Sequence, residues 1–308
     1  MIRPAFAERN IPIVFASNDN YVPYLGVAML SLLENASADF NYDIVVLEGD
    51  ISETGKYLLR ITVERFENCS LRFVRVRDYV QIPKFHINKY FSVETYFRLF
   101  IPTLFKEFDR LIYLDCDLAV LGDISELYQA DIRGFTIGAT RNFSSLPLYL
   151  KHIVWEKIDW KKYYEKTLRL QNPQNYFQAG VMLIDVKEIG AEDNQARLLA
   201  LANSFNPFFV DQDILNSFFN EKVKIIDQAW NYENGMDVEN IDYLKTDINS
   251  HLYSALIAAM QNPKIIHYAG SRKVWADPRV PRAELWWSYA RKTPFYENIL
   301  YRTLGFAA

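Results

Sequence analysis

Residues 111–120 read Leu-Ile-Tyr-Leu-Asp-Cys-Asp-Leu-Ala-Val, a short apolar run that meets two aspartates one residue apart. Such a run is typical of a strand buried in an α/β sheet. Ligands of open α/β sheets bind beyond the carboxyl ends of the strands, which is where Asp115 and Asp117 are expected. Their carboxylate oxygens suit Mg²⁺ or Mn²⁺. The plainer alternative is a solvated turn in which an aspartate only caps the next element.

The chain around this stretch alternates short apolar runs with amphipathic stretches, a pattern that predicts a sheet flanked by helices. Pro102 should bend or interrupt the helix predicted at Ser92–Glu107, because proline lacks a backbone N–H. No linker separates two domains, so we expect one domain at 1–281 and a tail at 282–308. Further strands are predicted at Ile13–Ser17, Tyr42–Glu48, Leu71–Val76, Gly180–Val186, Val223–Ile226 and Ile265–Tyr268. Helices are predicted at Tyr24–Asn35, Ser52–Phe66, Ser92–Glu107 and Asp211–Asn220, with weaker helical periodicity at Leu148–Leu170.

Composition narrows the class of protein. The 308 residues are 50% hydrophobic and carry a formal net charge of −4, which supports a sizeable core and argues against a general nucleic-acid binder. The two cysteines, Cys69 and Cys116, imply no disulfide framework. The sequence starts without the apolar segment of a secretory signal, and no run approaches the ~18 apolar residues of a membrane helix. We therefore expect a cytoplasmic location, either free or peripheral on the inner face of the cell membrane.

Five other segments place polar or small residues next to predicted strands and helices. They read Ile-Val-Phe-Ala-Ser-Asn-Asp-Asn-Tyr (13–21), Tyr-Phe-Arg-Leu (96–99), Tyr-Phe-Gln-Ala-Gly-Val-Met-Leu-Ile-Asp (176–185), Val-Asp-Gln-Asp-Ile-Leu-Asn (210–216) and Ile-Ile-His-Tyr-Ala-Gly-Ser-Arg-Lys-Val-Trp (265–275). Free backbone N–H groups at a helix start favour anions, and a lone arginine on an apolar helix needs an acidic partner. Glycine lets a ligand approach the backbone closely. Structural alternatives are helix capping by Asp19, Asn20 or Asp211, a salt bridge between Arg98 and Asp115, a tight strand start at Gly180, and a core histidine at His267.

In the order of these motifs, the chain from about Ile11 to Trp275 resembles glycosyltransferase family 8. That family comprises retaining sugar transferases, including bacterial lipopolysaccharide galactosyl- and glucosyltransferases and the glycogenins. The resemblance implies a GT-A fold, which is an α/β fold with a Rossmann-like mixed sheet flanked by helices, here with a helical C-terminal extension. It also implies a hexosyltransferase that moves glucose or galactose from a UDP-sugar to a saccharide acceptor, such as a lipopolysaccharide or another surface glycan.

The resemblance implies roles for individual residues. The metal ligands would be Asp115, Asp117 and His267, and the imidazole would favour Mn²⁺ over Mg²⁺. Gln212, Asp211 and Arg98 would lie at the reacting sugar, whereas Asp213 is expected to be structural. The UDP-sugar site would comprise Ala16, Asn18, Asn20, Tyr21, Asp115, Cys116, Gln178, Ala179, Gly180, Gly270 and Lys273. Relatives usually have aspartate at the position of Asn18, asparagine at that of Gln178 and proline at that of Val274.

Retention of the anomeric configuration, which the resemblance implies, constrains the mechanism. Retaining glycosidases use a carboxylate nucleophile about 5 Å from the acid. The residue that would face the anomeric carbon here is Gln212, which is a poor nucleophile. Our hypothesis is that the acceptor hydroxyl attacks from the same face that the departing phosphate leaves, with that phosphate as its base.

The end of the chain is basic and aromatic. Residues 271–308 contain seven basic and three acidic side chains, a net charge of +4 against −8 for the rest. Trp286, Trp287, Tyr289 and Phe295 lie among these basic residues. Such segments can bind an anionic membrane surface and would bring the enzyme to a lipid-linked acceptor. The equally weighted alternative is a C-terminal helix packed on the core with its aromatic side chains buried.

Two other functions stay open from the sequence alone. A haloacid-dehalogenase-like phosphatase also has an apolar strand that ends in Asp-x-Asp. That class expects the pair on the first strand, with threonine or valine at the position of Ala119, and the present chain departs on both points. A sugar-nucleotide-binding protein without turnover is the other alternative, for which the substitutions at Asn18 and Gln178 leave room.

Overall fold

The computed structural model describes residues 2–86, 91–190, 192–234, 238–246 and 249–305. The strands are β1 (Asn10–Asn18), β2 (Asn41–Gly49), β3 (Cys69–Arg75), β4 (Arg110–Leu114), β5 (Leu118–Val120), β6 (Ile137–Arg141), β7 (Val154–Trp155), β8 (Ile158–Asp159), β9 (Phe177–Asp185), β10 (Val223–Ile225), β11 (Tyr232–Glu233) and β12 (Ile265–His267). The α-helices are α1 (Val22–Glu34), α2 (Glu53–Val63), α3 (Ile101–Leu104), α4 (Ile124–Tyr128), α5 (Leu146–Leu150), α6 (Trp160–Lys162), α7 (Val186–Ile189), α8 (Glu192–Ala202), α9 (Val210–Phe219), α10 (Ser250–Gln261), α11 (Ala283–Ala290) and α12 (Tyr296–Thr303). Short 3₁₀ helices lie at Val76–Asp78, Val93–Phe100, Pro173–Asn175, Asn220–Lys222, Gln228–Asn231 and Val238–Leu244, and a π-helical turn lies at Tyr163–Thr167.

Within the described residues, seven strands form the central sheet, in the order β10-β6-β9-β4-β1-β2-β3. β1 runs parallel to β2 and β4, whereas β9 runs antiparallel to both β4 and β6. Ile13 and Phe15 of β1 belong to one hydrophobic cluster and Val14 to the other, because successive strand residues point to opposite faces. Both faces are therefore covered, and the predicted mixed sheet flanked by helices is confirmed.

A second, three-stranded sheet has the order β11-β12-β5 and carries the predicted metal ligand His267 at the end of β12. β12 pairs with β5 antiparallel, so that His267 lies opposite Leu118. The backbone N–H of Tyr268 donates to the carbonyl of Asp117 at 2.9 Å. This pairing brings His267 beside Asp117, from which 150 residues separate it along the chain.

The predicted helix at Ser92–Glu107 is wrong in type and length. The chain forms a 3₁₀ helix at Val93–Phe100 and then the single α-helical turn of α3. Pro102 is the physical reason, since it lies at the first turn of α3, where its missing N–H costs nothing, and it cannot continue a helix from the preceding residues.

The weak helical periodicity at Leu148–Leu170 does not correspond to one helix either. α5 ends at Leu150, and a two-residue hairpin of β7 and β8 follows before α6. Glu156 and Lys157 form the hairpin turn with positive φ angles of 53° and 63°. The aromatic side chains that produced the periodicity instead belong to a separate cluster around Trp160 and Tyr164.

The C-terminal segment packs on the domain as α11 and α12. Trp286 and Phe295 are buried. Phe295 lies so close to Gly26 of α1 that a Cβ at that glycine would be 2.6 Å from the ring. The structure thus favours the packed alternative for these two aromatic side chains. Among the described residues, no helix is long and apolar enough to cross a bilayer.

We expect Trp286→Ala to destabilise the whole protein, because it removes a fully buried indole from the main core. The expected loss is about 3–5 kcal/mol in the free energy of unfolding, measured by urea denaturation. Leu304→Ala, at a residue 68% exposed in the same segment, serves as the control and should change that free energy by less than about 0.5 kcal/mol. Equal, small effects of the two substitutions would show that the tail is not part of the core.

Candidate active site

Three side chains with metal-ligand atoms converge at the carboxyl end of β4. One ligand atom from each of Asp115, Asp117 and His267 lies within 4.8 Å of the others. His267 Nε2 is 3.1 Å from Asp117 Oδ1 and 3.8 Å from Asp115 Oδ2. Two carboxylates and one imidazole, the last almost fully buried, form a donor set that fits a divalent cation such as Mn²⁺.

Gly180 of β9 lies directly against this triad. A Cβ at this position would be 2.4 Å from His267 Cε1 and 2.6 Å from Asp115 Oδ2. The backbone carbonyl of Gly180 also accepts the N–H of Asp115 at 2.8 Å. A side chain at position 180 would therefore displace two of the three candidate ligands.

Lys273 places a positive charge beside Asp117. Its Nζ lies 2.5 Å from Asp117 Oδ2 and donates to the carbonyl of Tyr268 at 3.2 Å. Burial alone would raise the pKa of Asp117, but Lys273 and His267 beside it hold that pKa well below its ordinary value. Gly270, which precedes Lys273 by three residues, has a φ of 87°, a conformation that favours glycine.

Arg98 connects the candidate metal site with the candidate sugar site. Its guanidinium donates to Asp115 Oδ1 at 2.8 Å and to the carbonyl of Ala179 at 2.6 Å, and its Nε is 2.9 Å from Asp211 Oδ2. Burial alone would lower the pKa of Arg98, but Asp115 and Asp211 raise it above its ordinary value. The salt bridge to Asp115 that the sequence offered as an alternative is thus present.

Gln212 and its neighbours are buried at the start of α9. Gln212 Oε1 accepts the N–H of Ala179 at 3.0 Å, and its Nε2 donates to the Tyr176 hydroxyl at 3.1 Å. Burial raises the pKa of Asp211 to about 6, although Arg98 opposes that rise. Asp213 accepts hydrogen bonds from the hydroxyls of two tyrosines and from a backbone N–H, contacts that agree with a structural role.

The residues proposed for the nucleotide lie at the end of β1. Asn18 Nδ2 donates to Glu94 Oε2 at 3.0 Å, while Asn18 Oδ1 accepts the backbone N–H of Asn20 at 3.2 Å. Tyr21 is 36% exposed, and its ring lies edge-on to Trp275 with the centroids 5.9 Å apart.

Ala16 and Cys116 link β1 to the aspartate motif. The Cys116 thiol donates to the carbonyl of Ala16 at 3.3 Å. Burial raises the pKa of Cys116, and the flanking carboxylates Asp115 and Asp117 raise it further, which disfavours a thiolate nucleophile here.

The sequence assigned no role to two residues at the site. Asn231 is fully buried and contacts both His267 and Gln178. Glu94 is buried beneath Asn18. For Asn231 the sequence offered its position after a predicted strand, where relatives also have an asparagine, but no role. Glu94 gave no signal, because its partner is 76 residues away along the chain.

This chain is similar to known proteins in both sequence and fold. The profile described as "Glycosyl transferase family 8" matches residues 12–278. The apo structure of the WbbM bifunctional glycosyltransferase superposes with a TM-score of 0.88 and 30% identity over 98% of this chain, which spans 53% of that longer protein. The galactosyltransferase LgtC, solved with donor and acceptor sugar analogues, superposes with a TM-score of 0.74 and 24% identity, covering 92% of this chain and 96% of LgtC.

One similar protein aligns with this chain over most of both sequences. The lipopolysaccharide 1,2-glucosyltransferase of Escherichia coli strain K12 is 25% identical over 278 residues, covering 85% of this chain and 72% of that protein. The structural neighbours are GT-A type glycosyltransferases, which confirms the predicted fold. The phosphatase alternative is incompatible with a sugar-transferase profile that covers most of the sequence. The chain belongs to glycosyl transferase family 8.

Proposed function

We propose that this chain is a metal-dependent, retaining hexosyltransferase that moves glucose or galactose from a UDP-sugar to a saccharide acceptor. The observation that carries this proposal is the convergence of Asp115, Asp117 and His267 next to Lys273. A divalent cation bound there would neutralise negative charge that develops on a departing diphosphate. Lys273 supports the same role, because its ammonium group would donate to a phosphate oxygen in this low-dielectric site.

Uridine is the base that the described contacts favour. The carboxylate of Glu94 accepts from Asn18 Nδ2, so the other polar atom of the amide is the acceptor Oδ1, which takes the backbone N–H of Asn20 and has a second lone pair for a base. An acceptor matches the ring N–H of uracil and not the unprotonated ring nitrogen of cytosine. The partly exposed ring of Tyr21 beside Trp275 supports a further proposal, that this ring stacks on the base.

We expect Glu94→Gln to reduce the preference for UDP over CDP by about tenfold. The new glutamine can also donate to Asn18, so the Asn18 amide can rotate and present its nitrogen to the base. Dissociation constants for both nucleotides, measured by calorimetry with Mn²⁺, check this. Glu53→Gln is the control, since the Glu53 side chain is 83% exposed on α2, and it should leave the ratio unchanged. An unchanged ratio in Glu94→Gln would mean that Asn18 does not read the base.

The chemical step proposed is same-face displacement. The bond between the anomeric carbon and the phosphate oxygen breaks, the acceptor oxygen bonds to that carbon, and the acceptor proton passes to the departing phosphate. Gln212 supports this route because both polar atoms of its amide are already engaged, with Ala179 and Tyr176. Asp211 is paired with Arg98. A covalent sugar adduct trapped on Gln212 or Asp211 of the wild-type enzyme would contradict the step.

The proposed function is tested by incubating the protein with Mn²⁺ and a panel of UDP-hexoses, and assaying released UDP with and without saccharide acceptors. Acceptor-dependent UDP release with UDP-glucose or UDP-galactose is expected. Tight UDP-sugar binding without release under any condition would instead indicate a sugar-nucleotide-binding protein. Absence of both binding and release would contradict the UDP-sugar site itself.

The proposed acceptor is a saccharide of a lipopolysaccharide or another surface glycan, which the named activity of the Escherichia coli relative supports. A lipid-linked acceptor would bring the protein to the cytoplasmic face of a membrane. Because Trp286 and Phe295 are buried, such contact would depend on exposed basic residues such as Arg291 and Lys292. Co-sedimentation with anionic vesicles should therefore weaken in the double variant Arg291→Glu/Lys292→Glu, and equal co-sedimentation of both proteins would contradict this contact.

A further inference from the structure

A continuous chain of hydrogen bonds lies behind the candidate metal ligand His267. The backbone N–H of Gly180 donates to Gln178 Oε1 at 2.6 Å, and Asn231 Nδ2 donates to the same oxygen at 2.7 Å. Asn231 Oδ1 is 3.0 Å from His267 Nδ1. Gln178, Asn231 and His267 are all more than nine-tenths buried, so water does not compete for these contacts.

The donor and the acceptor of each hydrogen bond in this series follow from the backbone N–H of Gly180. A backbone N–H can only donate, so the atom of Gln178 that faces Gly180 must be the amide oxygen. That oxygen can only accept, so the atom of Asn231 that faces it must be the amide nitrogen. The oxygen of Asn231 therefore faces His267, and Nδ1 of the imidazole must carry a proton to donate to it.

We propose that Asn231 and Gln178 are positioning residues that hold His267 in the Nδ1–H tautomer. Nε2 is then the ring atom that faces Asp115 and Asp117: it would offer its lone pair to a bound cation, and without a cation it can donate a proton to Asp117 Oδ1 at 3.1 Å. The inference rests on the proposed metal-dependent function. It adds Asn231 and Gln178 as residues that act through His267 and not by contact with the substrate. It also assigns Gln178 Oε1 to this network, so that only the amide nitrogen of Gln178 remains for a sugar.

The opposite tautomer is disfavoured by the same contacts. An unprotonated Nδ1 would require the Asn231 amide to rotate so that its nitrogen faces His267. The Asn231 oxygen would then lie at hydrogen-bond distance from Gln178 Oε1, with two acceptors facing each other in a buried site. Gln178 cannot relieve this by rotating, because its nitrogen would then face the Gly180 N–H.

The network also joins the two sheets of the domain. Gln178 and Gly180 belong to β9 of the central sheet, whereas His267 ends β12 of the three-stranded sheet. Asn231, at the end of a 3₁₀ helix, bridges them. The imidazole is therefore oriented by β9 as well as by its own strand. β9 also carries Ala179, whose carbonyl accepts a hydrogen bond from Arg98.

The first test measures Mn²⁺ affinity by calorimetry in the presence of saturating UDP. We expect Asn231→Leu to weaken Mn²⁺ binding by about 10- to 100-fold, the usual effect of removing a hydrogen-bond partner of a ligating histidine. Asn231→Asp should weaken binding much less, because one carboxyl oxygen still accepts from Nδ1–H and the other, when it carries a proton, donates to Gln178 Oε1 as the amide nitrogen did. Equal losses in both variants, or no loss in Asn231→Leu, would overturn the proposal.

Two further variants keep the test interpretable. Asn35→Ala is the control for the general loss of an asparagine, because Asn35 Nδ2 lies within hydrogen-bond distance of three acceptors, none of them a candidate ligand. It should leave Mn²⁺ affinity unchanged. If Asn231→Leu does not fold, Gln178→Met replaces it, with an expected loss of about three- to tenfold because Asn231 is then no longer held, and wild-type affinity in Gln178→Met would overturn the proposal.

The second test needs no metal and no activity. The chain has four histidines, and long-range ¹H–¹⁵N spectra at pH 9 distinguish the two neutral tautomers of each ring. His267 should show a protonated Nδ1 in the wild type and lose that preference in Asn231→Leu. An Nε2–H tautomer in the wild type would refute the positioning role, whereas failure of the wild type to bind Mn²⁺ with UDP would refute the proposed function and leave the tautomer result standing.

Discussion

Asp117→Asn is expected to reduce Mn²⁺-dependent UDP release from the UDP-sugar donor by about a thousandfold or more. Asp117 is the one carboxylate that contacts both His267 Nε2 and Lys273 Nζ among the described residues. The substitution replaces a negatively charged carboxylate oxygen with a neutral amide group, which is a weaker ligand for a divalent cation. A loss of about 4 kcal/mol in transition-state stabilisation, in the range that metal-ion catalysis supplies, corresponds to that factor.

The measurement is initial-rate UDP release at saturating donor, together with calorimetric Mn²⁺ titration of the same variant. Asp131→Asn is the control, because Asp131 is an exposed carboxylate paired with Arg133 on the surface. It should retain the wild-type rate. Retention of most activity by Asp117→Asn would mean that the cation is held elsewhere or is not needed.

Gly180→Ala is expected to abolish measurable Mn²⁺ binding and to lower turnover by about 100-fold or more. The added methyl group would be 2.4 Å from His267 Cε1, 2.6 Å from Asp115 Oδ2 and 2.9 Å from Gln178 Oε1. His267 is fixed by Asn231 and Asp115 by Arg98, so neither can move aside without breaking a buried contact. Displacing catalytic groups by about 1 Å commonly costs a factor of 100.

Gly138→Ala provides the matched control. Gly138 lies in β6 of the same sheet, and a Cβ there would be 2.8 Å from Ile132, so that the substitution also crowds a buried site. It should lower the free energy of unfolding yet leave Mn²⁺ affinity unchanged, because the crowded neighbours are apolar. If both variants lost Mn²⁺ binding equally, the effect of Gly180→Ala would reflect general disruption of the sheet rather than the triad.

The sequence was sufficient for the fold class and for the identity of the three candidate ligands. The apolar run before Asp115 and the strand before His267 carried local signals that do not depend on long-range packing. The antiparallel pairing of β12 with β5, which brings those signals together, could not be predicted from hydrophobic pattern alone. It came from the order of motifs shared with a family.

Other features depend on tertiary contacts and were missed. Asn231 looks like any polar residue after a strand, and its importance comes from being enclosed between Gln178 and His267. In the tail, the adjacent Trp286 and Trp287 gave equal signals for membrane contact and for packing. Only the docking of α11 shows that the first is fully buried and the second is partly exposed.

The distance in sequence between Asp117 and His267 has a consequence for biosynthesis. Translation delivers both carboxylates long before the imidazole, and β12 can pair with β5 only after residue 267 has left the ribosome. A nascent chain therefore cannot bind metal through all three side chains until most of its length has been made. Premature release upstream of that point would leave the candidate metal site without its histidine.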